Sequence, residues 1–324
     1  MKTANEILQL INNYIDEMPY TRQPASLYEP IRYTLSLGGK RIRPTLMMLA
    51  YNLYQEDPER ILPQACGLET YHNFTLLHDD LMDHADLRRG HPTVHVKWDA
   101  NTAILSGDTM LLMAFRQMMD CPEDKLQSVL DVFSETTMEI GEGQQYDMTF
   151  ETRDDVREEE YIEMIRLKTS VLLACALKIG AILGGAPRED AENLYKFGEQ
   201  IGLAFQLQDD FLDVYGDPKV FGKAIGGDIL CNKKTFMLIN AFNKADEAQR
   251  KELEKWVNAV NPDPQQKIAA VTALYNNIGV NRLAEERIRY YFDESRKYLA
   301  AVQVPEESKQ ELKAYADKMM RRNK

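Results

Sequence analysis

The stretch YHNFTLLHDDLMDHADLRRG, from Tyr71 to Gly90, decides how this chain is read. Its apolar residues recur at helical spacing and run into Asp79-Asp80-Leu81-Met82-Asp83. A second stretch, IGLAFQLQDDFLDVYG from Ile201 to Gly216, closes on Asp209-Asp210-Phe211-Leu212-Asp213. At about 100° per residue, positions i, i+1 and i+4 fall within roughly a 100° arc, so each DDxxD puts three carboxylates on one helix face. Carboxylates that close raise one another's pKa unless a cation holds them. Two such faces opposed across a helical bundle would form an all-oxygen cage for Mg²⁺, which prefers one or two carboxylates, water and substrate phosphate. The expectation is a Mg²⁺–diphosphate site between two helices.

The rest of the chain supports a helical frame. Helical periodicity dominates and strand-like alternation is nearly absent. Helices are expected over 4–18, 26–37, 43–54, 59–86, 95–118, 125–148, 158–184, 189–216, 233–244, 247–259, 264–276, 279–300 and 306–321. Breaks fall at Gly38-Gly39, Arg89-Gly90-His91-Pro92, Gly184-Gly185-Ala186-Pro187, Gly216-Asp217-Pro218 and Asn261-Pro262. No richer linker separates them, so a single all-α domain over residues 1–324 is expected. The acidic run 151–160 reads as a solvated loop and helix start.

Composition excludes several classes of function. Apolar residues make up 44% of 324, which suits a packed core and not a disordered chain. A net charge of −12 argues against a nucleic-acid or anionic-membrane binder, so an anionic substrate has to be gripped by local cations. The longest apolar stretch, Val171 to Ala186, carries Lys178 and is too short for a transmembrane segment; it reads as a buried helix. The N-terminus resembles an amphipathic helix and not a secretory signal. Cys66, Cys121, Cys175 and Cys231 are isolated singletons, which fits a reducing cytoplasmic setting.

Cations cluster near both acid stretches. Gly38-Gly39-Lys40-Arg41-Ile42-Arg43-Pro44 combines backbone that can approach a ligand with side chains that grip a diphosphate. His72 lies two turns before Asp79 on the same stripe, and Arg88 and Arg89 precede Gly90 at the expected helix end. Gln206 shares the face of Asp209 and Asp210. Glycines with Lys223 and Lys233 could fold a basic loop over phosphate. Lys168-Thr169 and Gly143-Gln144-Gln145-Tyr146-Asp147 are weak signals taken singly. All five histidines lie between positions 72 and 95, so an HD-type phosphohydrolase is a competing reading, but it leaves the histidine-free second DDxxD unused.

As an ordered set, GGKRxRP, DDxxD-x4-RRG and FQxxDDxxD closely resemble the trans-prenyl diphosphate synthases of the polyprenyl synthetase family, from Gly38 to about Thr235. The resemblance implies an all-α isoprenoid synthase fold of about 10–13 helices around a large central cavity, usually as a homodimer. It implies that Asp79, Asp80, Asp83 and Asp209, supported by Asp210 and Asp213, hold up to three Mg²⁺ ions on an allylic diphosphate (dimethylallyl, geranyl or farnesyl). Arg88, Lys168 and Lys223 would contact the same diphosphate. Lys40, Arg43, His72 and Arg89 would bind isopentenyl diphosphate, and Thr169, Gln206 and Lys233 would line the reacting region. Pyrophosphate would leave, and the alkene of isopentenyl diphosphate would attack the carbocation head to tail. Met237 stands where the family often has proline, at an apparent helix start. The basic end Arg321-Arg322-Asn323-Lys324 closes over isopentenyl diphosphate in some relatives and is equally readable as a solvated tail.

Product length would depend on Phe74 and Thr75, five and four residues before Asp79. An aromatic at Phe74 without a second at Thr75 resembles geranylgeranyl-forming members, with farnesyl formation next; Met110, Leu111, Met113 and Phe115 could narrow the cavity further. The rivals are a class I terpene cyclase, which needs no second diphosphate site, and a non-catalytic subunit, whose acid motifs would be degraded.

Overall fold

The computed structural model describes residues 2–20, 22–217 and 225–321. Apart from one two-stranded hairpin, every regular element among these residues is helical. The chain divides into two compact units, each assembled from three segments. Unit one comprises residues 1–134, 175–194 and 303–312, and unit two comprises 135–174, 195–302 and 313–324.

In unit one, α1 (Ala4–Glu17) begins with a capping box: the Thr3 hydroxyl accepts the Glu6 N–H and the Glu6 carboxylate accepts the Thr3 N–H. It buries Ile7, Ile11 and Ile15. Helices α2 (Ala25–Ser36), α3 (Ile42–Tyr51) and α6 (Ala100–Met118) join α1 around α4 (Leu62–Met82), and a short α5 (Val94–Lys97) packs on α6. Arg41 ties three of these helices together. Its guanidinium donates to the Glu69 carboxylate on α4 at 2.8 Å and to the Leu35 carbonyl on α2 at 2.7 Å, while its backbone caps α3.

Unit two is built on α12 (Phe236–Lys244), which packs against α8 (Glu158–Ile165), α14 (Pro264–Ile278) and α15 (Val280–Ala301). Between them in sequence lie α9 (Val171–Gly184), α10 (Arg188–Tyr215), α11 (Gly227–Leu230) and α13 (Glu247–Val257). Helix α7 (Glu123–Glu151) precedes α8, and α16 (Glu306–Met320) closes the chain. The core of this unit gathers Phe150, Tyr161, Ile165, Leu203, Phe236 and Tyr275. Each such buried side chain stabilises the fold by about 1.5–3 kcal/mol relative to exposure. Met237 is the second residue of α12, two after its N-cap Thr235, and is buried.

Two expectations need correction. The helix expected over 59–86 is a 3₁₀ turn at Pro58–Ile61 followed by α4, which stops at Met82. His84 then takes a left-handed conformation (φ 51°), and Leu87–Arg88 pairs with His91–Pro92 as a minimal antiparallel hairpin. Arg88 and Arg89 therefore sit on a hairpin and not at a helix end. The apolar stretch from Val171, too short by itself to cross a membrane, is part of the helical run expected over 158–184. Glu158–Gly184 forms a run of 27 residues, apolar and long enough to cross a membrane by length and composition, yet its most apolar window is 72% buried inside the protein. Burial accounts for the apolarity as that of a core helix.

Candidate active site

Unit one presents the first aspartate motif at the C-terminal end of α4. Asp79 lies in its last turn and Asp83 is its C-cap, still helical, with its N–H bonded to the Asp79 carbonyl at 2.8 Å. Asp80 is buried and accepts Arg88 Nε at 2.9 Å on both oxygens and Arg88 Nη2 at 2.6 Å on Oδ1. This ion pair brings the hairpin back onto α4. Arg89, at the hairpin tip, donates to the Gly38 carbonyl of the glycine pair. Arg43 Nη1 lies 3.1 Å from His72 Nε2.

Burial, and then the charges of Arg43, Arg89, Arg88 and Arg41, push the His72 pKa far below its ordinary value. A neutral imidazole fits its partner: guanidinium has no acceptor, so Nε2 must offer its lone pair to Arg43. Unit one therefore concentrates guanidinium charge around a histidine that adds none. The sign of the pH response follows. Below about pH 6.5 the unfolded chain's histidine takes up a proton that the folded one refuses, so stability falls as pH falls through that window. The His72→Gln variant should show a shallower loss of unfolding free energy on going below pH 6.5; an unchanged slope would mean that His72 is not held neutral.

Below Asp79 on the same helix, Phe74 belongs to a row of rings. Phe115 meets Phe133 at 4.8 Å, Phe133 meets Tyr71 at 5.4 Å, Tyr71 meets Phe74 at 5.5 Å, and Phe74 meets His78 at 4.9 Å between centroids. Thr75 turns its hydroxyl to the His72 carbonyl at 2.8 Å. Phe74 is thus the first aromatic below the acids, and Tyr71 is the next.

Unit two carries the second motif near the end of α10. Asp210 is buried; the Tyr161 hydroxyl donates to its Oδ2 and Gln206 Nε2 donates to its Oδ1 at 3.0 Å. Gln206 Oε1 accepts the Thr169 hydroxyl at 3.1 Å. Asp213 Oδ2 accepts the Asp228 N–H at 3.0 Å and so pins the start of α11. Lys168 and Thr169 occupy a π-helical turn, Arg166–Ser170, between α8 and α9. The turn is clasped from two sides: a Cβ on Gly143 of α7 would lie 2.4 Å from the Lys168 nitrogen, and one on Gly202 of α10 would lie 2.6 Å from the Ser170 Cα. Only glycine permits both approaches. Lys168 Nζ bonds Asp147 Oδ2 at 2.6 Å. Burial opposes the Asp147 charge, but Lys233 and Lys168 outweigh it and hold the carboxyl below its ordinary pKa. Burial and the neighbouring Asp228 push Asp210 the other way, well above the carboxylate range.

The structure thus gathers Arg43, His72, Arg88, Arg89 and Asp80 within unit one. Within unit two it gathers Lys168, Thr169, Gln206, Asp210 and, through Asp147, Lys233. Lys40 is exposed beside Gly39. Lys223 and the end Arg322-Asn323-Lys324 lie outside the described residues. Among the described residues, no three or more His, Cys, Asp or Glu side chains are gathered so as to hold a metal by themselves.

The polyprenyl synthetase family model matches residues 24–275. The chain belongs to the polyprenyl synthetase family. It is 47% identical over 232 residues to the geranylgeranyl diphosphate synthase of Methanosarcina mazei, covering 71% of this chain and 72% of that one. It is 37% identical over 324 residues to the geranylfarnesyl diphosphate synthase of Aeropyrum pernix, covering 97% and 100%. A crystal structure of a geranylgeranyl pyrophosphate synthase matches with a TM-score of 0.94 at 41% identity over the full length of both chains. A second, from Corynebacterium glutamicum, complexed with isoprenyl diphosphate and magnesium, matches with a TM-score of 0.86 at 27% identity over 98% of each. This family member is a prenyl diphosphate synthase, that is, a prenyltransferase of the short-chain trans type.

Two residues of the synthase's site escaped the sequence reading. Asp147 was visible only as the end of GQQYD, a short motif on a helix with no stated partner. Tyr161 looked like any core aromatic; its partner Asp210 is 49 positions away.

Proposed function

We propose that the enzyme condenses isopentenyl diphosphate head to tail with an allylic diphosphate and releases geranylgeranyl diphosphate. One observation carries this reading. Both DDxxD motifs end a helix, and in both the second aspartate is buried and braced by its own unit. Asp80 is held by Arg88 and Asp210 by Tyr161 and Gln206, while the first and fifth aspartates are less buried.

Asp79, Asp83 and Asp209 supply carboxylates for up to three Mg²⁺ ions, supported by Asp80, Asp210 and Asp213. The donor set fits: it is all oxygen, and Mg²⁺ takes one or two carboxylates with water and substrate phosphate completing its shell. When bound, Mg²⁺ supplies Lewis-acid neutralisation of the diphosphate charge. Arg88, Lys168 and Lys223 grip the allylic diphosphate, and Lys40, Arg43, His72 and Arg89 grip isopentenyl diphosphate. The allylic C–O bond breaks, pyrophosphate departs, and the alkene attacks the cation; a proton then passes to pyrophosphate. Thr169 and Gln206 turn dipoles toward the developing charge, and Lys233 restrains the leaving anion. Residues 1–324 act as one catalytic domain. Incubation with isopentenyl diphosphate and labelled dimethylallyl, geranyl or farnesyl diphosphate, with and without Mg²⁺, tests this. Mg²⁺-dependent elongation supports the reading, while a cyclic hydrocarbon or no turnover rejects it.

Phe74 sets the product length. Removing it should let the tail descend to Tyr71, three residues or about 4.5 Å down the helix, roughly one isoprene unit. Phe74→Ala products should therefore chromatograph longer than those of the wild type, and identical products would show that Phe74 is not the floor.

A homodimer is supported by α6 and its C-cap, where Leu105, Leu112 and Met119 recur every seven residues and are 58%, 66% and 51% exposed. An apolar stripe of that kind is normally covered. The wild type should sediment as a dimer and Leu105→Glu/Leu112→Glu as a monomer; a monomeric wild type at micromolar concentration contradicts this. The four cysteines, none in a disulfide, fit a cytoplasmic setting.

A further inference from the structure

Both oxygens of the Asp210 carboxylate receive a hydrogen from within unit two, and this fixes more than the carboxylate. Gln206 meets Asp210 Oδ1 through its NH₂ group, which can only donate. The amide's carbonyl oxygen is thereby turned the opposite way, where it accepts the Thr169 hydroxyl. We infer that Asp210 and Tyr161 are positioning residues that lock the orientation of the Gln206 amide.

The inference rests on the prenyl-transfer reading. In that reaction positive charge develops on the allylic fragment, so a carbonyl oxygen presented to it lowers the barrier and an amide N–H raises it. An amide in water turns freely between those two faces. Here Asp210 decides which pole faces Thr169 and the reacting carbon.

Tyr161 is the second half of the lock. Asp210 is only 6% exposed, and a buried carboxylate with a single donor would be poorly held. The Tyr161 ring is fully buried in the unit-two core, so its hydroxyl has little freedom to point elsewhere. Tyr161, on α8, and Thr169, in the π turn that follows it, belong to one helical run. One run therefore supplies both the donor that fixes Asp210 and the donor that meets Gln206. The first motif offers a parallel: Asp80 is likewise buried and braced on both oxygens, by Arg88.

The test combines kinetics with a direct binding measurement. The kcat, the KM for both diphosphates, and the affinity for Mn²⁺ with inorganic pyrophosphate are measured for the wild type and five variants. These are Tyr161→Phe, Asp210→Asn, Asp209→Asn, Gln206→Ala and the double variant Tyr161→Phe/Gln206→Ala. Tyr161→Phe and Asp210→Asn should each lower kcat about tenfold while moving KM and Mn²⁺ affinity less than about twofold. In the Gln206→Ala background, Tyr161→Phe should have no further effect, because nothing remains to be oriented. Asp209→Asn should instead weaken Mn²⁺ binding. If Asp210→Asn weakens Mn²⁺ binding as much as Asp209→Asn does, Asp210 acts through the metal and the inference is wrong. Additive losses in the double variant would likewise overturn it by making Tyr161 merely structural. A wild type that elongates normally while these outcomes fail sinks this inference alone. A wild type that makes no prenyl diphosphate sinks the functional reading and this inference together.

Discussion

Asp79→Ala should lower kcat by at least about a hundred- to a thousandfold while leaving the unliganded protein as stable as the wild type or slightly more so. The two effects have one cause. Asp79 and Asp80 lie in the last turn of α4 and Asp83 caps it, at the negative end of the helix macrodipole. Acids there are unfavourable by about 0.3–1 kcal/mol each, and neighbouring acids repel. The last turn of α4 itself contains no basic residue. A fold under no other demand would not keep that charge, whereas a cation-binding site requires it. Thermal melts and steady-state kinetics on one preparation check the expectation. A variant that loses stability in step with activity would make Asp79 a structural residue.

Arg41→Met should lower the unfolding free energy by about 3–5 kcal/mol, the largest stability effect expected of a single substitution here. Arg41 and Glu69 are 4% and 2% exposed, and their ion pair spans 2.8 Å. Removing the guanidinium leaves a buried carboxylate whose remaining side-chain donor is Asn73, at 3.1 Å. It also leaves the Leu35 carbonyl without the Arg41 N–H. Against a total stability of about 5–15 kcal/mol this is a large fraction. The midpoint of denaturant unfolding should fall at unchanged slope. Replacing both partners together, as Arg41→Met/Glu69→Leu, should recover much of the loss, because no buried charge then remains. A single variant within about 1 kcal/mol of wild type would show that the pair is hydrated in solution.

The helices were largely legible in the sequence because most carry their own punctuation. Thr3 with Glu6, Asp246 with Gln249 and Asp263 before Pro264 mark starts that the structure reproduces. The end of α4 was not legible. Residues 83–86 keep a polar pattern compatible with helix, and the chain leaves it because the Thr93 hydroxyl and N–H bond the Ala85 and Asp86 carbonyls at 2.7 and 3.0 Å. No local pattern announces a partner eight positions on. The aspartates were legible because spacing alone puts them on one face. Which of them are already braced was not, since Arg88 acts from a hairpin and Tyr161 from another helix. Lys168-Thr169 read as an ordinary helical pair for the same reason. The π turn that sets them apart depends on how closely Gly143 and Gly202 let their helices approach.

The most direct measurement is of metal binding itself. Mn²⁺ retained per chain, followed by electron paramagnetic resonance with and without inorganic pyrophosphate, compares the wild type with Asp79→Ala and Asp209→Ala. The expected result is binding that requires pyrophosphate and is weakened in each variant. Tight binding without pyrophosphate, or binding unchanged in both variants, would contradict the view that these aspartates hold a metal–diphosphate.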